Sequence, residues 1–135
     1  MIPRASKFVA GAILAVLTGV IVAQVPGLTR TVVARADVSV PGREAVAARV
    51  EIAPGGTSGW HTHPGDEVSV VNEGEVLLMV AGQPTRKVVA GEGFVIPAGV
   101  VHNARNEGST PTRLVGVYVV DKGKPLASPA SAPAP

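Results

Sequence analysis

The chain lacks cysteine altogether across its 135 residues, which excludes a disulfide framework and any thiolate metal site. That absence leaves the compartment open, since it suits a periplasmic or secreted protein as well as a cytosolic one. Aromatic residues are scarce too, with one Trp, one Tyr and two Phe. A strong excess of one charge is also missing: twelve basic residues face ten acidic ones. Setting aside Arg4 and Lys7 near the N-terminus leaves ten against ten, with no basic block elsewhere. A nucleic-acid footprint, which needs clustered Lys and Arg, is therefore not expected. Beyond residue 25 no stretch of ten residues keeps a helical hydrophobic period.

What is abundant is Gly and Pro, sixteen and twelve residues respectively. Both break long helices and both build tight turns, so the composition favours short strands. β-Branched runs occur at Thr31–Arg35, Val46–Ile52, Val68–Val71, Val76–Val80, Arg86–Val89, Gly93–Ile96 and Arg113–Val120. Turn residues punctuate them at Pro41-Gly42, Pro54-Gly55-Gly56, Pro64-Gly65-Asp66, Gly74, Gly82, Pro97-Ala98-Gly99 and Gly108. Strands at this spacing predict an all-β antiparallel sandwich or barrel.

The two ends read differently. Arg4 and Lys7 precede an uninterrupted apolar run from Phe8 to Ala23, the layout of a secretory signal. Residues 1–25 are therefore expected to be a signal peptide, or an uncleaved membrane anchor, on a periplasmic or secreted protein. The membrane enters only through that segment if it stays attached. Residues 122–135 are rich in Pro, Ala and Ser and carry little bulky apolar surface, so a mobile, disordered tail is expected there. The folded unit is expected over residues 29–121.

Only three histidines are present, and their placement carries the chemistry. His61 and His63 are two apart, so in a strand both imidazoles project from one face. Glu67 follows four residues later, and a turn at Pro64-Gly65-Asp66 is needed to bring it alongside them. His102 opens another strand almost forty residues on. Three neutral imidazoles and a carboxylate suit one divalent transition metal, whether Fe, Mn, Ni, Cu or Zn. Such a site leaves coordination positions for water or substrate, unlike a closed structural zinc site.

The framework around these residues is also patterned. From Gly55 the order is five residues, His61-Thr62-His63, three residues, Glu67, six residues and Gly74. From Gly91 it is five residues, Pro97-Ala98-Gly99, two residues, His102, three residues and Asn106. Sixteen residues separate the two blocks. This arrangement resembles the paired motifs of the cupin superfamily, with all four ligand positions filled. The resemblance covers roughly residues 45–120 and implies an antiparallel jelly-roll barrel. It implies His61, His63, Glu67 and His102 as metal ligands. A wider likeness, from Asp37 to Leu126, is to the small exported cupins of bacteria; it places Asp37 inside the domain and disfavours cleavage at Ala36.

For the pocket, Ser69, Val71, Val100, Ala104, Phe94, Ile96, Leu77 and Met79 are the expected lining, most of it plain core. Asn106 is read as a turn or strand-end residue, and Trp60 should point away from the ligands. Tyr118, Arg49 and Glu51 are the remaining candidates for a proton-handling or anion-binding role inside the barrel, but no motif supports one and a solvated outer face is expected for each. An oxalate-type isomerase or decarboxylase site would call for an inward arginine and a lid glutamate, and the sequence identifies neither. Two functions compete: a metal-dependent, dioxygenase-like enzyme acting on a small organic molecule, and a non-catalytic metal- or ligand-binding module of the cell envelope. A homodimer is expected because pairing covers strand edges that a barrel this small leaves open.

Overall fold

A computed structural model describes residues 25–134. The signal or anchor segment expected over residues 1–25 lies outside the described residues, apart from Val25. Ten strands follow in order: β1 (Leu28–Asp37), β2 (Arg43–Ile52), β3 (His61–Thr62), β4 (Gly65–Glu73), β5 (Glu75–Val80), β6 (Arg86–Val89), β7 (Gly93–Ile96), β8 (His102–Arg105), β9 (Thr112–Asp121) and β10 (Ser128–Pro129). They form two five-stranded antiparallel sheets, ordered β1-β2-β9-β4-β7 and β10-β3-β8-β5-β6. From β2 onward the chain keeps crossing between the sheets. That makes the jelly roll implied by the cupin resemblance.

Alternation decides what lies between the sheets. On β2 the residues Val46, Ala48, Val50 and Ile52 are buried, and on β9 Leu114, Tyr118 and Val120 are buried. The second sheet answers with Val76, Leu78, Val80, Val88 and Ala104. Each buried Val, Leu or Ile contributes about 1.5–3 kcal/mol relative to exposure. On β4 the same alternation buries Glu67 and Ser69 beside Val71, so polar groups enter the barrel by strand parity.

Three expectations change. Leu77 and Met79 are not fully buried, because it is Val76, Leu78 and Val80 that face inward. The run is apolar at both parities, so the pattern alone did not choose a face. Pro64-Gly65-Asp66 is less an interrupting turn than a change of sheet. Strand β3 ends at Thr62, and Gly65 already pairs with Val120 in the other sheet. Finally, the C-terminal segment runs back over the barrel. Ser128 and Pro129 pair with Thr62 and His61, Ala130 N donates to the Trp60 carbonyl at 2.9 Å, and Leu126 packs against Val46, Ala48, Tyr118 and Val120. Backbone pairing and one leucine hold it there, and composition registers neither.

Candidate metal centre

Local backbone features set each ligand in place. Gly59, at φ +68°, accepts a hydrogen bond through its carbonyl from His61 Nδ1 at 2.8 Å. The approach to His61 is fixed by Thr57 and Ser58, whose hydroxyls both donate to Asn103 Oδ1, and by Ala104 N, which donates to Ser58 Oγ at 2.9 Å. His61 lies opposite His102 in the β3–β8 pair. Asn106 is a loop organiser and no ligand. Its buried side chain donates to the carbonyls of Ile52 and Thr110 and accepts from Gly108 N. Glu67 comes from the opposite sheet, between Tyr118 on β9 and Ile96 on β7.

All four sequence-predicted ligands meet. His61, His63, Glu67 and His102 are buried, and each offers a ligand atom within 4.8 Å of every other. His63 Nε2 lies 3.0 Å and His102 Nε2 3.1 Å from Glu67 Oε2, with His61 Nε2 3.2 Å from His63 Nε2. A metal with bonds of about 2.1 Å sets neighbouring ligands about 3.0 Å apart in an octahedron.

The protonation logic points the same way. Each Nδ1 faces a backbone carbonyl: Gly59 for His61, Val100 for His102 at 2.9 Å, and Leu126 for His63 at 2.6 Å. A carbonyl only accepts, so each Nδ1 carries a hydrogen and each ring, in its neutral form, turns an Nε2 lone pair inward. Three lone pairs and a carboxylate oxygen then converge with no donor among them. A cation among them satisfies all four at once. These residues can hold a metal ion.

Electrostatics keep His61 and Glu67 in their binding forms. Burial, and next the nearby His102, push His61 down to about 4, against partial opposition from the Gly59 carbonyl. The ring is thus neutral near pH 7. Burial resists ionising Glu67, but its close neighbours His102 and His63, together with a hydrogen bond from Ser69, prevail and hold its carboxyl far below the usual range. Ser69 Oγ donates it, at 2.6 Å to Glu67 Oε1.

Two further residues belong to the site. Tyr118, expected outside, is buried inside, its ring centroid 4.7 Å from His63. The ring folds back over Gly116, where a Cβ would meet the phenol oxygen at 2.7 Å. Residues 114–120 are apolar or small at both parities, so the sequence held no parity signal; a glycine two positions before an aromatic was the available hint. Burial, with the Glu67 charge adding, pushes the Tyr118 phenol up to about 12, and Arg30 opposes this. Arg30 of β1 was missed entirely. Its guanidinium carbon stands 5.6 Å from the Tyr118 ring centroid, and its Nε is buried without a hydrogen-bond partner among the described residues. Arg30, Tyr118, Phe94, His61, Glu67 and His102 share the lining of one interior cavity of about 20 Å³. Arg49 and Glu51 are exposed as expected, and Glu51 Oε2 accepts from Arg113 Nε at 2.8 Å.

Residues 48–119, which carry every one of the four ligands, match the family described as the Cupin domain. The chain belongs to the cupin family. Among curated relatives of this cupin, nectarin-1 of Nicotiana langsdorffii x Nicotiana sanderae is 35% identical over 106 residues, covering 69% of this chain and 46% of nectarin-1. Oxalate oxidase 1 of Hordeum vulgare is 41% identical over 75 residues, covering 50% of this chain and 37% of that protein. The chain thus spans less than half the length of these relatives. A solved oxalate oxidase is 30% identical with a TM-score of 0.63, covering 84% of this chain and 64% of its own.

Proposed function

We propose that this cupin is a metal-dependent enzyme that uses dioxygen on a small organic carboxylate, with oxalate the first to test. The observation carrying the proposal is Arg30, a cation with an unpartnered buried Nε in the cavity that the metal ligands line. A buried guanidinium donor without an acceptor costs free energy until an anion fills the gap, and carboxylates fit its fork. The similarity to oxalate oxidase 1 supports the same substrate class.

A divalent transition ion held by the four residues would supply Lewis acidity and, if redox-active, a route for electrons to dioxygen. The chain's own groups do the rest. Arg30 binds and orients the carboxylate. Tyr118, a neutral phenol at ordinary pH, serves as a hydrogen-bond donor rather than a base. The cavity, about the size that holds one water, must open further to admit even a small carboxylate. For oxalate the balance closes: its C–C bond breaks to give two CO₂, and two electrons with two protons reduce O₂ to hydrogen peroxide.

The test is oxygen uptake and peroxide release by manganese- or iron-loaded protein given oxalate and other small carboxylates. Arg30→Ala should lower kcat/KM by roughly 10–150-fold, the worth of a hydrogen bond to a charged group of about 1.5–3 kcal/mol. Arg30→Lys should recover part of that loss. No turnover with either metal, or an Arg30→Ala variant as active as the parent, would defeat the proposal. The tightness of the cavity favours the second reading, a non-catalytic metal-binding module, which predicts tight metal retention with no turnover.

The same proposal carries export and pairing. The basic and apolar run at the N-terminus motivates the first. The edge strand β1 motivates the second, since Val32 and Val33 are 39% and 51% exposed there. Chain recovered from the periplasm or medium should show twice the monomer mass by light scattering; a single-chain mass counts against the dimer.

A further inference from the structure

The three imidazoles differ in where their orienting carbonyl comes from. His61 and His102 each use a carbonyl two residues back in their own segment, Gly59 and Val100. His63 instead uses Leu126, 63 residues further along the chain. His63 therefore depends on a distant segment for its tautomer and ring angle, whereas its two partners do not.

That segment is attached by little. Strand β10 is two residues long and lies at the sheet edge, with Ser128 and Pro129 exposed. Ala130 N reaches the Trp60 carbonyl, so Pro129 falls opposite His61 at a position that needs no N–H. Leu126 is the one apolar side chain from the segment packed against the Val46, Ala48, Tyr118 and Val120 cluster. A short exposed edge strand with one anchor opens locally at far lower cost than the barrel unfolds.

We infer that the Lys124–Ala130 segment is a positioning element of the metal centre, which orients His63 through the Leu126 carbonyl and sets how long the centre retains its ion. The inference rests on the metal reading above. Each time the segment lifts, His63 Nδ1 loses its acceptor and the ring is free to turn its Nε2 from the other ligands. Loss of an outer hydrogen-bond partner of a ligating imidazole weakens metal binding by roughly 10–100-fold. Here that loss is reversible and carried by one strap.

The test uses zinc as probe and compares the parent chain with Leu126→Ala, a truncation after Lys124 and a control truncation after Ala130. Zinc release into a chelator should be about 10–100-fold faster for the first two and unchanged for the control. Nitrogen-15 spectra of the metal-free proteins supply a second readout, independent of any metal. The His63 Nδ1–H signal should vanish in the first two variants while those of His61 and His102 persist, which also shows an intact barrel. Parent-like zinc release in both variants would overturn the inference. So would simultaneous loss of all three signals, which assigns the segment a purely structural role. A parent that takes up no zinc sinks the metal reading and with it the retention role, while the spectra still decide the orientation of His63.

Discussion

Replacing His102 with alanine is expected to strip the chain of its metal. His102 Nε2 approaches Glu67 Oε2 at 3.1 Å, and His102 is the strand partner of His61, so its imidazole adjoins two of the other three ligands. The substitution removes one ligand outright and opens a gap beside the buried Glu67 carboxylate. Affinity should fall by more than the roughly 100-fold that an outer-shell loss costs. Elemental analysis of parent and variant purified side by side is the measurement. The parent should carry one ion per chain and the variant almost none. Equal occupancy in the two would refute the four-ligand assignment.

Gly65→Ala should be the most damaging change that touches no ligand. A Cβ at Gly65 would stand 1.9 Å from the Val119 carbonyl oxygen and 2.6 Å from Val120 Cα. Both contacts are backbone, so no side chain can rotate away, and β4 must part from β9. A cost above about 3 kcal/mol is expected, typical of severe overpacking and a large share of a domain's stability. Glu67 is two residues on in the same β4–β9 ladder, so metal affinity should fall with stability. Gly82→Ala makes the control. Gly82 has φ +74° but open space around it, so its penalty is only the left-handed backbone strain of about 1–2 kcal/mol. Denaturant unfolding of the two metal-free variants separates clash from strain. Equal midpoints would mean that the close approach at Gly65 is relieved elsewhere.

Much of the site was legible along the chain. The four ligands carry their identity in residue type, and the glycines and prolines around them mark where the chain must turn. Glu67 could be set beside the histidines only through the cupin resemblance, because Pro64 breaks the strand between them. The structure supplies the physical reason: the chain changes sheet there, and Glu67 meets the imidazoles across the barrel. Gly116 and Tyr118 show the opposite case. Their strand is apolar at alternate positions of both kinds, so burial of the phenol depends on which face the barrel encloses.

The amino-acid sequence by itself determined the donor set, the turns and the short-strand, all-β character, because these follow from side-chain chemistry and backbone preference at single positions. Tertiary structure decided which parity of β5 and β9 faces inward, that Arg30 of an edge strand shares the ligands' cavity, and that a proline-rich terminal segment supplies the carbonyl that orients His63. The first two depend on packing between sheets. The third depends on a backbone oxygen, which every residue carries and which acquires a role only from where the chain sets it.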